Sequence, residues 1–440
     1  MAFTLTQPKQ LPMKKSVANR LVVCALAIFA IWGCTQPQEY TFEVYKPVYK
    51  SFEEFRSSFK TSPAKDIEQP GKIYFKDDYI FVNEVNKGIH VINNQNPKNP
   101  VKVTFYEIEG NVDIAIRGNI LFADSYIDLV AIDISNILSP VLVSRLKNAF
   151  PEVLPPFDRT KPIYGIDQSK GVVVGWRVET VTEEHGGWGT WWGGLWPWRG
   201  GVMFDAASGR KEVSAGVAGS MARFMLHSHY LYSVTTPWML RTLDISDAAK
   251  MTPVDSIYSW REMETLFRLN NNLFVGTTSG MVIYDLENPA KPRFVSEINH
   301  INACDPVVVA NNIAYVTLRS GNMCNNFTNQ LDVVDIADIQ NPKLLKSFPM
   351  FNPHGLGIDH PLLFICDGAA GLKIYNVSNP LAITSNMIAH FPNIDTFDVI
   401  PLDGILLMIG HDGLFQYDYS DPRNIVLLSH IQIKKTFPGR

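Results

Sequence analysis

Long apolar runs are scarce in this 440-residue sequence. The run Leu21 to Trp32 near the N-terminus covers about 12 residues, where a bilayer-spanning helix needs roughly 20. A conventional membrane-crossing helix is therefore not expected. Charge is also thin, at 19% of residues, and the balance of 39 basic against 43 acidic residues gives a net charge of −4. That balance disfavours nucleic acid and anionic lipid headgroups as partners. Cysteine is rare, with five in the whole chain and no Cys-x-x-Cys pair, so the thioredoxin-like redox motif is missing. No Gly-x-Ser-x-Gly, His-Glu-x-x-His or phosphate-loop motif occurs. Apolar residues do not recur at a period near 3.6 over ten or more positions, which excludes a helical repeat.

What is present is 46% hydrophobic residues with 28 prolines and 29 glycines, the composition of a globular chain rich in turns. Residues 1–33 read as a lipoprotein signal peptide: Lys14, Lys15 and Arg20 precede the apolar run, which ends at Ile31-Trp32-Gly33-Cys34. This end resembles the lipobox of bacterial lipoproteins, with Trp32 a bulky departure from it. The resemblance implies acylation of Cys34, export, and attachment to the cell envelope, the outer membrane being the expected site. Removing the segment discards Lys9, Lys14, Lys15 and Arg20 and no acid, so the mature chain lies near −8. The anchor, rather than surface charge, is then the membrane contact. Residues 34–70 form a spacer carrying a short helix, in which Phe52, Phe55 and Phe59 make an aromatic stripe. That helix either tucks against the following domain or belongs to a membrane spacer.

Residues 71–440 are repetitive. An apolar strand ending in Asp or Asn, then a short polar stretch and often proline, appears as Leu129-Val-Ala-Ile-Asp133 and Met281-Val-Ile-Tyr-Asp285. It returns as Leu331-Asp-Val-Val-Asp335 and Leu372-Lys-Ile-Tyr-Asn376. Eight copies centre on residues 93, 133, 205, 244, 285, 335, 376 and 418. Their spacings of 40, 72, 39, 41, 50, 41 and 42 residues define a unit of about 40 with one large and one small insertion. Each unit holds four short β-type runs bounded by Gly, Asn, Asp and Pro. Asp and Asn accept bonds from nearby backbone amides and proline cannot donate to a ladder, so each signature strand must stop and reverse. Four antiparallel strands per 40 residues make one propeller blade. The expected fold is an all-β propeller of four-stranded antiparallel blades, with eight blades preferred. Seven is the fallback if the divergent module around Asp205 is not a full blade.

These tracts resemble the LVIVD-repeat proteins, whose name matches the strand seen here as Leu129-Val-Ala-Ile-Asp133. The resemblance covers roughly Gly71 to Ile433 and is closest to exported members from Bacteroidetes-like bacteria. It implies the propeller fold and brings no catalytic residues or substrate.

Three features are candidates for function. His185-Gly-Gly-Trp188-Gly-Thr-Trp191-Trp192-Gly-Gly-Leu-Trp196-Pro-Trp198 lies in the large insertion. Its five tryptophans suit a protein or glycan partner, or else fold back on their own blade. The starts of the innermost strands, aligned at Lys72, Asp113, Gly165, Arg223, Thr265, Asp305, Gly355 and Asp398, would face one another at a channel mouth. Neighbouring loops add Glu84, Asp124, Arg319, His354, Asp367 and His411. Such a ring holds a cation or small ligand, serves a hydrolase or lyase through Asp113, Asp305, Asp398 or His354, or is merely paired within itself. Cys304 and Cys324 flank a predicted hairpin and can meet as one disulfide, while Cys366 reads as a buried thiol. His227 and His229 are read as sharing a strand face, without a third ligand to make a zinc site. No cofactor is expected. The leading expectation is a non-catalytic envelope lipoprotein that binds or scaffolds, with a channel-mouth enzyme and a purely structural envelope component as alternatives.

Overall fold

The computed structural model describes residues 38–158, 160–185, 217–220, 222–299, 306–319 and 328–434. The described chain divides into two units, residues 38–46, 160–166 and 177–185 forming the smaller. The sheet of Gln38–Lys50 with Val172–His185 contributes to it. There the Tyr45 amide donates to Pro162 and the Tyr164 amide to Tyr45.

The larger unit is a seven-bladed propeller. Among the described residues, each blade is one contiguous stretch of four antiparallel strands. The first blade is built from Pro70–Lys76, Tyr79–Glu84, Gly88–Asn93 and Val101–Glu107. The second comprises Ile114–Arg117, Ile120–Ser125, Asp128–Asp133 and Val141–Leu146. The third comprises Phe224–His227, Tyr230–Thr236, Met239–Asp244 and Thr252–Tyr258. The fourth runs from Met263 to Asn299, the fifth from Val307 to Pro349, the sixth from Leu356 to Phe391 and the seventh from Thr396 to Gln432. The preference for eight blades is thus corrected to seven. One link, residues 147–223, joins the second blade to the third, and Asp205 lies within it, outside the described residues. Gly165 is likewise not the start of an inner strand, since the third blade begins at Phe224.

Alternation along each strand sends side chains to both faces of a blade, so each blade needs neighbours on both sides. The cores accordingly lie between blades. Ile89, Val91, Ile114 and Val130 join the first to the second, and Phe122, Leu129, Phe224 and Leu243 join the second to the third. The ring closes where Ile73, Ile80 and Val82 meet Ile400, Leu407 and Ile409 of the seventh blade. Each fully buried side chain of this kind contributes about 1.5–3 kcal/mol of burial free energy.

Turn chemistry explains the regularity of one face. In all seven blades the Asp or Asn closing the third strand accepts the amide two residues on, at 2.8–3.0 Å. A second Asn or Asp, three residues later, repeats the bond at 2.9–3.2 Å. These paired Asx turns reverse the chain into the outer strand. The first-to-second strand turns are two residues each, as at Asp77-Asp78, Gly118-Asn119 and Asp403-Gly404. His229 sits in such a turn after Ser228, whose φ is 55°, so His227 and His229 do not share a strand as the sequence alternation predicts. His229 meets Arg117 at 2.8 Å instead.

Of the residues before the ring, Phe52–Arg56 form a helix capped by Ser51. Phe59 falls beyond the helix end, so the predicted three-ring stripe is broken. Phe55 is buried against Tyr126 and Val172, and Arg56 forks onto Asp128 of the second blade at 2.8 and 3.1 Å. Lys60–Pro63 then adds a strand to the outer edge of the first blade.

Candidate functional site

Antiparallel order puts the first-to-second and third-to-fourth strand links on one face, and the remaining links on the other. The first face has uniformly short links. The two longest fall on the second: residues 147–223 between blades two and three and 319–329 within blade five. Variable loops on a rigid scaffold are where binding and catalytic residues concentrate. Trp260 and Phe351, which sequence reasoning passed over, are 72% and 60% exposed in links on this face. Trp188, Trp191, Trp192, Trp196 and Trp198 belong to the longest link but lie outside the described residues, as do Cys34, Asp305, Cys304 and Cys324.

The acids of the adjacent loops have a common local task. Glu84, at the end of the first blade's second strand, accepts the amides of Glu68 and Gln69 at 3.0 and 2.8 Å and meets His90 at 2.9 Å. Asp124 accepts the amides of Val112 and Asp113 at 2.8 and 2.9 Å, and the Asn111 side chain at 2.8 Å. Asp367 accepts the amides of Phe351 and Asn352 at 3.0 and 2.8 Å and pairs with Lys373. Each carboxylate therefore ties the loop entering an inner strand to its own blade. Burial opposes ionisation of Glu84, yet His90 and the two amides hold it down to about 2. Asp124 goes the other way: burial pushes it up to about 7, against its amide donors and with the Asp113 charge adding to the rise.

The structure brings Lys72, Asp113 and Arg223 together. Asp113 is 3% exposed; its Oδ2 lies 2.5 Å from the Lys72 ammonium and accepts the amides of Arg223 at 2.5 Å and Phe224 at 3.2 Å. Its Oδ1 accepts the Ile114 amide at 2.8 Å. Burial pulls Lys72 below the ordinary lysine value, and Asp113 opposes this. Asp398, fully buried, accepts the Ser220 amide at 2.9 Å. These carboxylates face the backbone amides of Ser220, Arg223 and Phe224. Thr265 and Gly355 are buried beside them.

His354 stands apart from that knot. Arg319 Nη1 lies 3.1 Å from its Nδ1, and Asn352 Nδ2 lies 3.2 Å from its Nε2. A guanidinium can only donate, so Nδ1 accepts and Nε2 carries the proton. The Asn352 amide must then present its oxygen to Nε2. Burial first, then the charges of Arg319 and His411, lowers His354 to about 3. It is a neutral imidazole at ordinary pH. His411 instead meets Asp395 at 3.2 Å. Among the described residues no group of three or more His, Cys, Asp or Glu is placed to hold a metal. Cys366 is a free, buried thiol.

Residues 217–223 are the element that sequence reasoning missed. Their available signal was composition: Val217-Ala-Gly-Ser-Met-Ala222 is a run of small and apolar residues where the other modules place a polar loop.

No family model matches the chain, and no curated protein matches it. Among solved structures it is similar to a protein from Lactobacillus plantarum, with a TM-score of 0.52 at 10% identity over 83% of this chain and 97% of that one. It is also similar to the computationally designed Ika8 protein, with a TM-score of 0.49 at 10% identity over 85% and 92% of the two chains. For BamB from Moraxella catarrhalis the TM-score is 0.43 at 10% identity over 89% and 92%. At such identity the likeness concerns the fold alone.

Proposed function

We propose that this chain is an exported, lipid-anchored, non-catalytic propeller of the LVIVD-repeat kind, binding or scaffolding a protein or glycan partner in the cell envelope. The supporting observation is the condition of the channel mouth. Asp113 and Asp398, the described carboxylates that would have served a hydrolase or lyase there, are turned onto the chain's own amides of Ser220, Arg223 and Phe224. A general acid or base must instead reach a substrate proton. Loop length and exposed aromatic surface, including Trp260 and Phe351, meanwhile accumulate on one face. Large exposed aromatics serve as anchors in interfaces.

Two measurements test the reading. Cys34→Ala is expected to move at least nine-tenths of the protein from the membrane to the soluble fraction of expressing cells; retention on the membrane refutes the anchor. For the partner, the intact mature chain and a deletion of Trp188–Trp198 are cross-linked in envelope extract. The intact chain is expected to give a product that the deletion lacks, while both unfold at the same temperature. Identical products from the two proteins refute the tryptophan contact. Turnover of an envelope glycan or peptide by the intact chain, abolished by Asp113→Asn, refutes the non-catalytic reading.

A further inference from the structure

The blades follow one another in the chain without exchanging strands, so the seam between the seventh and first blades has no shared ladder within either four-stranded sheet. Along the seam, Gln416 Nε2 donates to Asn94 Oδ1 at 2.7 Å and Ser429 Oγ to the Pro97 carbonyl at 2.7 Å. The Lys434 amide donates to Ile67 at 2.8 Å. Apart from apolar packing, these are contacts toward the rim and the C-terminal tail.

The inner end of the same seam is spanned by residues 217–223. Val217–Ala218 pairs antiparallel with the inner strand of the first blade, opposite Phe75 and Tyr74. The Gly219 amide continues the pairing onto Ile73 at 3.2 Å. The next residue changes blades. The Ser220 amide donates to Asp398 of the seventh blade at 2.9 Å, and its hydroxyl accepts the Leu356 amide of the sixth at 2.5 Å. Ala222 then accepts the Leu266 amide of the fourth blade, and Arg223 gives its amide to Asp113 of the second. The Arg223 carbonyl finally accepts Val234 of the third. Six blades are bound by six described residues.

The fit is close at the seam. A Cβ on Gly219 would stand 1.8 Å from Asp398 Oδ2, and one on Gly355 would stand 2.5 Å from Asp398 Oδ1 and 2.8 Å from Ser220 Oγ. Both positions therefore exclude any side chain while the segment is seated. Ser220 is fully buried, and its hydroxyl and amide bond to two different blades. Buried polar groups bonded in this way specify one arrangement, because an unmet donor or acceptor in the interior loses its hydration without gaining a partner.

We infer that residues 217–220, with Ala222 and Arg223, are an internal clasp that closes the propeller, replacing strand exchange by stitching the first blade to the sixth and seventh. The clasp also occupies the channel mouth, so closing the ring and closing the channel are one act.

Hydrogen exchange resolved by blade tests this on the full mature chain. Gly219→Val removes the space the clasp needs, and Ser220→Ala removes the hydroxyl that accepts the Leu356 amide at 2.5 Å and donates to Asp398 at 3.4 Å, leaving the Ser220 amide bond to Asp398 in place. In either variant, amides of the inner strands Pro70–Lys76 and Thr396–Leu402 are expected to exchange at least tenfold faster. The outer strands Arg293–Asn299 and Lys343–Pro349 keep their rates. Local opening of this sort is what exchange reports. A uniform acceleration across all seven blades, or no acceleration at the seam, overturns the clasp. Should Gly219→Val yield no folded protein, the Ser220→Ala pattern decides alone.

Discussion

Replacing Lys72 by methionine is expected to destabilise the propeller by about 3–5 kcal/mol, the cost of stranding one member of a buried ion pair. Lys72 and Asp113 are both about 3% exposed, and their contact is 2.5 Å. Methionine keeps the volume and removes the charge, leaving the Asp113 carboxylate buried without its cation. Replacing both partners by apolar residues, which is often neutral for an isolated pair, is not expected to rescue this one. Asp113 also accepts the amides of Ile114, Arg223 and Phe224, and no apolar side chain replaces those bonds. The surface pair Arg293–Asp285 is the control: Arg293 is largely exposed, and Arg293→Met is expected to leave the urea midpoint essentially unchanged. Urea denaturation of the two variants checks the contrast. Equal losses would mean that the channel pair is no better buried than the surface one.

The second large effect concerns pH. His354, neutral in the folded chain and lowered to about 3, stays unprotonated while the unfolded chain takes up a proton near 6.5. Stability from this residue is present above about 6.5 and is lost as pH falls from there toward 3, at about 1.4 kcal/mol per pH unit. Asp124, raised to about 7, has the opposite sign. Between 7 and its unfolded value near 3.8 the folded chain holds a proton the unfolded chain has released, so acidification favours folding there. The two slopes cancel, and the native chain is expected to show a flat stability profile from pH 6.5 to about 4. Below that Asp124 no longer compensates, and Glu84, held at about 2, begins to lose its contribution as pH drops through 4.5. His354→Gln removes one slope and leaves the other, so the variant is expected to gain stability on acidification from pH 6.5 to 4 by up to about 1.4 kcal/mol per unit. Denaturant midpoints across that range measure the tilt. A variant profile parallel to the native one would mean that His354 titrates alike in folded and unfolded chains.

The blade was legible in the sequence because its punctuation is local. Asp133, Asp244, Asp285 and their equivalents each bond an amide two residues away, so the motif encodes its own turn without tertiary help. Blade number was harder to read, because spacing alone does not separate an insertion from a divergent module. The 72-residue gap around Asp205 admits both. The inner-strand alignment placed Lys72, Asp113 and Arg223 near one another, as they are, but it could not say what their polar groups would meet. What meets these carboxylates is the backbone of Ser220, Arg223 and Phe224, and the only mark of that stretch in the sequence is its small-residue composition. Glu84, Asp124 and Asp367 misled for a related reason. A carboxylate that anchors a loop and one that awaits a ligand look alike until their donors are known.

Because chain order and ring order coincide, the wheel is finished in the sequence in which it is made. Synthesis runs from the N-terminus, and domains begin to organise as they emerge. Residues 217–223 leave the ribosome well before Leu356 and Asp398, two of the partners that hold them. The hub must wait, half engaged on the early sectors, until the last sector arrives. The seventh blade, emerging after the other six, is then the one that turns a spiral of sheets into a circle.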